Sequence, residues 1–244
     1  PSANPINAKF YDKDIDNAIT FYSHAPVHNI YTKYNSMGVV NKVVDPDSVI
    51  RNAQPMFKLI KNGETYYLPS LSFAGFLKYM GEDAELTVKD KKIYYKDRII
   101  PINDRGESII SWHGKGHDYT YIPVSKILLS RGTQKFVEED FFKDKIVVIG
   151  RTEAGTDIHA SAVNPSYAGP ESNAAAIDNF INDSLPNNKN MRKFITKTSP
   201  LVTFVITVVS GLFLAFIGIS SKNALLCFIN SIGFMFLYLL FCLW

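Results

Sequence analysis

Two uncharged runs at the end of the chain constrain it more than any other feature. From Leu201 to Ser220 the sequence LVTFVITVVSGLFLAFIGIS holds no charged residue, and roughly 20 such residues in a helix cross the hydrocarbon core of a bilayer. A second uncharged run starts at Asn223 and continues through NALLCFINSIGFMFLYLLFCLW to Trp244. Only Ser220, Ser221, Lys222 and Asn223 link the two, which is too short for anything but a helical hairpin. Two transmembrane helices, 200–220 and 224–244, are therefore expected, with membrane lipid as their surroundings. Small or polar positions such as Gly211, Gly218, Asn230 and Gly233 either let the helices approach closely or face lipid.

Charge is segregated in the same way. All 23 Asp and Glu, and all but one of the 26 Lys and Arg, precede Pro200; the exception is Lys222. Removing it leaves 25 basic against 23 acidic residues in the first 199, a balance that offers no basic surface for nucleic acid. The combination also excludes a simple soluble enzyme. Both cysteines, Cys227 and Cys242, fall in the second apolar run, so residues 1–199 have no thiol for a disulfide, a thiolate metal site or a nucleophile. The opening PSANPINAKF carries neither an initiator Met nor a signal peptide, and the chain is read as a piece of a longer protein.

Residues 1–185 alternate short apolar strands with amphipathic helices, which points to an α/β domain, a mixed sheet flanked by helices. A helix is expected at 14–22 and strands at 27–31 (VHNIY) and 38–44 (GVVNKVV). A hairpin is expected over 56–68 with its turn at Asn62 and Gly63, then a helix opened by Pro69 and closed at Gly81. Residues 84–112 read as a meander of short strands, and VSKILLSRG, after Pro123, as a helix. KIVVIG (145–150) is a continuous apolar run of the kind found in a strand buried on both faces. A loop, 151–169, leads to an amphipathic helix, 170–185, with Ala174, Ile177, Ile181 and Leu185 on one face. Residues 186–199 form a polar linker to the first apolar run.

The chemistry-bearing patterns are sparse. VVIGRTEAG (147–155) places two glycines after an apparent strand but contains neither GK[ST] nor GxGxxG, so a strand-exit turn explains it more simply than a phosphate cradle. Asp157, His159 and Ser161 alternate along one loop, an order that does not itself supply the mutual hydrogen bonds of a hydrolytic triad. His113 and His117, like His24 and His28, have the spacing of a helical metal pair. Glycines in the first segment, a proline in the second, and the absence of a completing carboxylate or Cys pair argue against metal. No cofactor, metal or catalytic residue is expected. Asp157, His159 and Glu171 remain as candidates for lining a crevice beyond the strands or for ordering the loop.

Several segments, in order, resemble the CHASE sensory domain of the second type, an extracellular input module of bacterial nucleotide cyclases, histidine kinases and Ser/Thr kinases. GVVNKVVDPDSVIR matches its G-x-x-N and D-x-D-G-x-x-R pattern through Gly38, Asn41, Asp45, Asp47 and Arg51, with Ser48 where Gly is usual. LPSL (68–71) and IPINDRGESIISWHG (100–114) follow. The most specific blocks are DKIVVIGRTEAGTDIHASAVNP (144–165) and GPESNAAAIDNFI (169–181), in which Asn173 stands where His is common.

The resemblance implies an extracytoplasmic domain in the inner membrane, preceded by one span and followed by two or three, that receives an unknown signal and governs an output domain. A class III adenylate or guanylate cyclase is the expected output, with a histidine or Ser/Thr kinase as the alternative. Pairing as a homodimer is expected of such a receptor. Lys189, Arg192, Lys193 and Lys197 just before the first apolar run, taken alone, would place the domain in the cytoplasm. A large domain translocates largely regardless of flanking charge, and an earlier span can set the orientation, so the resemblance decides. A membrane-anchored hydrolase using Asp157, His159 or Glu171, and an envelope-interaction protein, are the competing functions.

Overall fold

The computed structural model describes residues 8–19, 38–61, 63–81, 85–130, 135–153, 155–185, 200–220, 228 and 230–235. The chain divides into two units, Pro1–Ile195 and Thr196–Trp244. The first is mixed α/β, as read from sequence, but among the described residues its strands form four small sheets rather than one.

The largest sheet takes the order β1 (Ala8–Phe10), β6 (Leu86–Lys89), β7 (Lys92–Tyr95), β8 (Arg98–Pro101). Strand β1 runs parallel to β6, and the rest is the expected antiparallel meander as far as Pro101; SIISW, its expected last strand, does not join this sheet, because Ser108 and Ile109 pair with Ala53 and Asn52. Asp90 and Lys91, between β6 and β7, both have positive φ, 53° and 54°, as a two-residue turn matching the strand twist requires. Alternation puts Leu86, Val88, Ile93, Tyr95 and Ile100 on the buried face. There they meet Phe73 and Phe76 of α2 (Leu71–Met80), together with Phe180.

The 56–68 hairpin is present as β4 (Met56–Lys61) and β5 (Glu64–Pro69), with Gly63 at φ 81° in the turn. Pro69 does not open the following helix. It ends β5 opposite Met56, and Ser70 is the cap, its side chain accepting from Phe73 N at 3.2 Å. A Ser oxygen satisfies an orphan N–H of the first turn, which Pro does not do. Gly81, at φ 83°, closes α2 as expected.

A three-stranded sheet runs β11 (Tyr167–Ala168), β10 (Ile158–Ser161), β2 (Val49–Ile50), and β3 (Asn52–Ala53) pairs with β9 (Ser108–Ile109). The 151–169 segment, expected to be a loop, thus contains two strands. By contrast, 145–150 lies in no strand, and Ile146, Val147 and Ile149 are exposed, the last at 85%. A continuous apolar run gives no periodicity by which to separate a buried strand from an extended surface segment. Here the parallel place beside β2 is taken by β10, with Ala160 opposite Val49. GVVNKVV also is not a strand and makes only a single bridge, Val39 to Ser70.

The first helix, α1, covers Lys13–Ala18; the remainder of its expected span past Ile19 and the VHNIY segment lie outside the described residues. Helix α3 (Val124–Leu129) buries no side chain. Helix α4 (Gly169–Asp178) continues into a π-helical turn, Asn179–Asp183. Ala174, Ile181 and Leu185 of the expected stripe are only half-buried, the last two falling in or after the wider turn, which shifts the helical register. Buried positions include Glu171, Ser172, Ala175, Ala176, Ile177, Asn179 and Phe180. Buried Asn179 works like a strand partner for Ser111, accepting from its N–H at 2.8 Å and donating to its carbonyl at 3.2 Å.

In the second unit, α5 spans Pro200–Ser220, 21 residues without a charge. Leu201, Phe204, Leu212 and Phe216 are exposed, and the Phe213 ring lies tilted against that of Phe234 in the next helical segment, 4.9 Å away. Counting only described residues, no helix is long and apolar enough to cross a membrane.

Candidate functional site

The N-terminus of α4 gathers residues from three distant parts of the first unit. Asp157, just before β10, accepts from Gly169 N through its backbone oxygen at 2.7 Å, and its Oδ1 meets His159 Nε2 at 2.6 Å. A Cβ at Gly169 would overlap the Asp157 carboxyl group, so the close approach of β10 and α4 depends on glycine there. From the other side Lys42 Nζ donates to Gly169 O at 3.0 Å. Burial pushes the Lys42 pKa below its ordinary value, opposed by the nearby Asp157 charge.

These groups stand at a cleft of about 500 Å³, with Asn173 of α4 beside them. Its other walls are apolar, among them Val40, Val44, Leu71 and Pro170. A second cavity of about 30 Å³, the size of one water, adjoins it through Val40, Lys42 and Asn173 and is lined by Ser70, Ser72 and Ser172. Ser161, the third member of the alternating trio, is turned away from such chemistry. Its hydroxyl donates to Asn164 O at 3.0 Å and accepts from Asn164 N at 3.0 Å, closing its own turn. The cleft therefore offers one ammonium, one His–carboxylate pair and apolar walls, a set suited to binding rather than to nucleophilic attack.

Glu171 has a different place. It is buried, and its carboxylate accepts from His117 N at 3.1 Å, Asp118 N at 2.8 Å and Tyr121 Oη at 2.6 Å. The carboxylate thus clasps the 117–121 segment onto the first turn of α4, where the helix dipole also favours negative charge. Nearby His113 bonds to Asp178, so the two histidines of WHGKGH serve separate contacts. Tyr119, Tyr121 and Tyr167 around the clasp all have raised pKa values, burial being the main cause. Among the described residues no cluster of three or more His, Cys, Asp or Glu is arranged to hold a metal ion.

The first sequence block folds into an ion-pair clasp. Arg51 forks onto Asp47 at 2.9 and 2.7 Å and reaches Asp45 at 2.9 Å. Hydrogen bonding to Arg51 holds the exposed Asp47 carboxyl at about 2, well below the usual carboxylate range. Ser48 has φ 63°, a left-handed conformation in which glycine is at ease and serine is strained.

A family model described as the CHASE2 domain matches residues 4–217. The chain belongs to this family. CHASE2 domains are extracellular sensory domains of signalling receptors, and the match embraces both the cleft and the Glu171 clasp. No curated protein and no solved structure matches the chain. Of the residues singled out from sequence, the CHASE2 fold brings Asp157 and His159 together and draws Glu171 into the clasp. Lys42 was missed, although it is the one charge within the apolar run GVVNKVV. Its partner Gly169 lies 127 residues away, a separation that no local pattern reveals.

Proposed function

We propose that this chain is the sensing and membrane-anchoring region of a bacterial transmembrane receptor. Residues 1–185 act as the sensory domain, 186–199 as a juxtamembrane linker, and 200–220 and 224–244 as spans of the inner membrane, with residues 1–199 outside. The single observation that carries this reading is the CHASE2 match over 4–217, which runs from the sensory fold into the uncharged helix α5. An uncharged helix with exposed apolar side chains needs an apolar surrounding, and lipid supplies one. Signal binding shifts the receptor between two states by its differential affinity for them, and α4 with the linker is the route to the spans. The receptor works as a homodimer, and its output is a class III nucleotide cyclase, a histidine or Ser/Thr kinase being the alternative.

The test is a reconstitution of the full-length receptor in lipid vesicles, assayed both for cyclic nucleotide formed from ATP or GTP and for phosphotransfer. Cyclic nucleotide is the expected product. Phosphotransfer alone would replace the cyclase by a kinase, and the absence of both activities would overturn the receptor reading.

A further inference from the structure

The cleft at the start of α4 has a composition that selects among ligands. Among the described residues Lys42 is the one ammonium at the cleft, and His159, the other nitrogen base in its lining, is paired with Asp157 at 2.6 Å. An ammonium has three N–H donors; among the described residues Lys42 is seen to use one, on Gly169 O. Lys42 lines this cleft beside Asp157, His159 and Asn173, and the remaining walls, Val40, Val44, Leu71, Val148, Ile149 and Pro170 among them, are apolar. Val40 and Val44 on that rim are exposed, so an apolar body entering the cleft would cover surface now left to water.

We propose that this cleft binds a small amphipathic monocarboxylate, its carboxylate on Lys42 and its apolar body against Val40, Val44 and Leu71. A phosphate-type dianion calls for more than one cation or a fork of donors, which the described lining lacks. A cationic ligand would meet Lys42 head on, and Asp157 Oδ1 is already bonded to His159 Nε2. The volume, about 500 Å³, accommodates a ligand of about 10 to 20 non-hydrogen atoms. The proposal deepens the sensor reading and rests on it for its biological meaning, but binding is measured without any output.

The whole chain in lipid nanodiscs is titrated calorimetrically with phenylacetate, its neutral analogue phenylacetamide, the cation phenethylammonium and inorganic phosphate, with empty nanodiscs as the control for partition into lipid. Phenylacetate is expected to bind saturably, at least tenfold more tightly than the amide or the ammonium, without displacement by phosphate. Lys42→Met should abolish the preference for the acid over the amide. Val44→Glu, on the exposed rim, should weaken phenylacetate at least fivefold, and it keeps the test decisive if Lys42→Met does not fold. No saturable binding, equal affinity for acid and amide, displacement by phosphate, or an unchanged affinity in Val44→Glu would each overturn the assignment. Failure here removes the ligand class, whereas the receptor reading falls separately, on the absence of both activities in the full-length protein.

Discussion

Replacing Glu171 by Gln separates the clasp from the cleft. In the wild-type protein Oε1 accepts from Asp118 N, and Oε2 accepts from both His117 N and Tyr121 Oη. A glutamine keeps one acceptor and sets an N–H₂ against the other donor or donors. In its better orientation it still loses the Asp118 bond and turns that contact into donor against donor. One charge-assisted bond is worth about 1.5–3 kcal/mol, and because Asp118 is exposed water takes up its freed N–H, so a net loss of about 1.5–3 kcal/mol is expected. For a unit of this size that corresponds to a melting point lowered by roughly 3–12 °C. Trp112, whose ring lies 4.7 Å from that of Tyr167, reports the transition by fluorescence in a Trp244→Phe background. Asp157→Asn is the counterpart: its contact with His159 is part-exposed, and such contacts contribute at most about 1 kcal/mol. Melting of Glu171→Gln at the wild-type temperature would refute the clasp, and an equal loss in Asp157→Asn would show that the cleft pair is scaffolding.

Phe180→Ala should cost about 3–5 kcal/mol in urea unfolding, because Phe180 is fully buried with its ring 5.4 Å from Phe73 and 6.0 Å from Phe76; a loss below 1 kcal/mol, of the order of a surface change, would contradict the core assignment. Burial lowers the Lys42 pKa from 10.5, so the unfolded chain holds that proton more tightly than the folded one. Lys42's own contribution to stability should therefore rise as pH climbs toward 10.5, against the opposite contribution of the tyrosines with raised pKa values, so the gap in melting point between Lys42→Met and the wild type should differ between about pH 8 and about pH 10. Ser48→Gly should stabilise the protein by up to about 1 kcal/mol by relieving the left-handed serine; destabilisation would mean that the turn gains more from Ser48 than its strain costs.

The hairpins and the meander were legible because their signals are local. Gly63 and the Asp90–Lys91 turn lie between runs whose alternation matches the observed burial of Leu86, Val88, Ile93 and Tyr95. KIVVIG was misread for the complementary reason: an unbroken apolar run predicts burial only if a partner strand is available, and β2 pairs with β10 instead. Asp157 and His159 were visible as polar residues two apart on one segment. The clasp was not, since Glu171 meets a segment 50 to 54 residues away, largely through backbone N–H groups that carry no sequence signature. The π turn was equally hidden, and it shifts Ile181 of α4's extension off the predicted stripe, while Ile177 before it is buried as expected.

The central claim is that the folded domain lies outside the membrane and presents its cleft to an extracytoplasmic signal. Lys115 gives the most direct test, because it is exposed, whereas Ser111 nearby is buried against Asn179. With Cys227 and Cys242 replaced by Ala, a single cysteine at Lys115→Cys is treated with a membrane-impermeant maleimide in intact cells whose outer envelope has been made permeable. The account predicts full labelling before lysis. Labelling only after the inner membrane is broken would place the domain in the cytoplasm, as the basic residues Lys189 to Lys197 would have it, and would contradict the account.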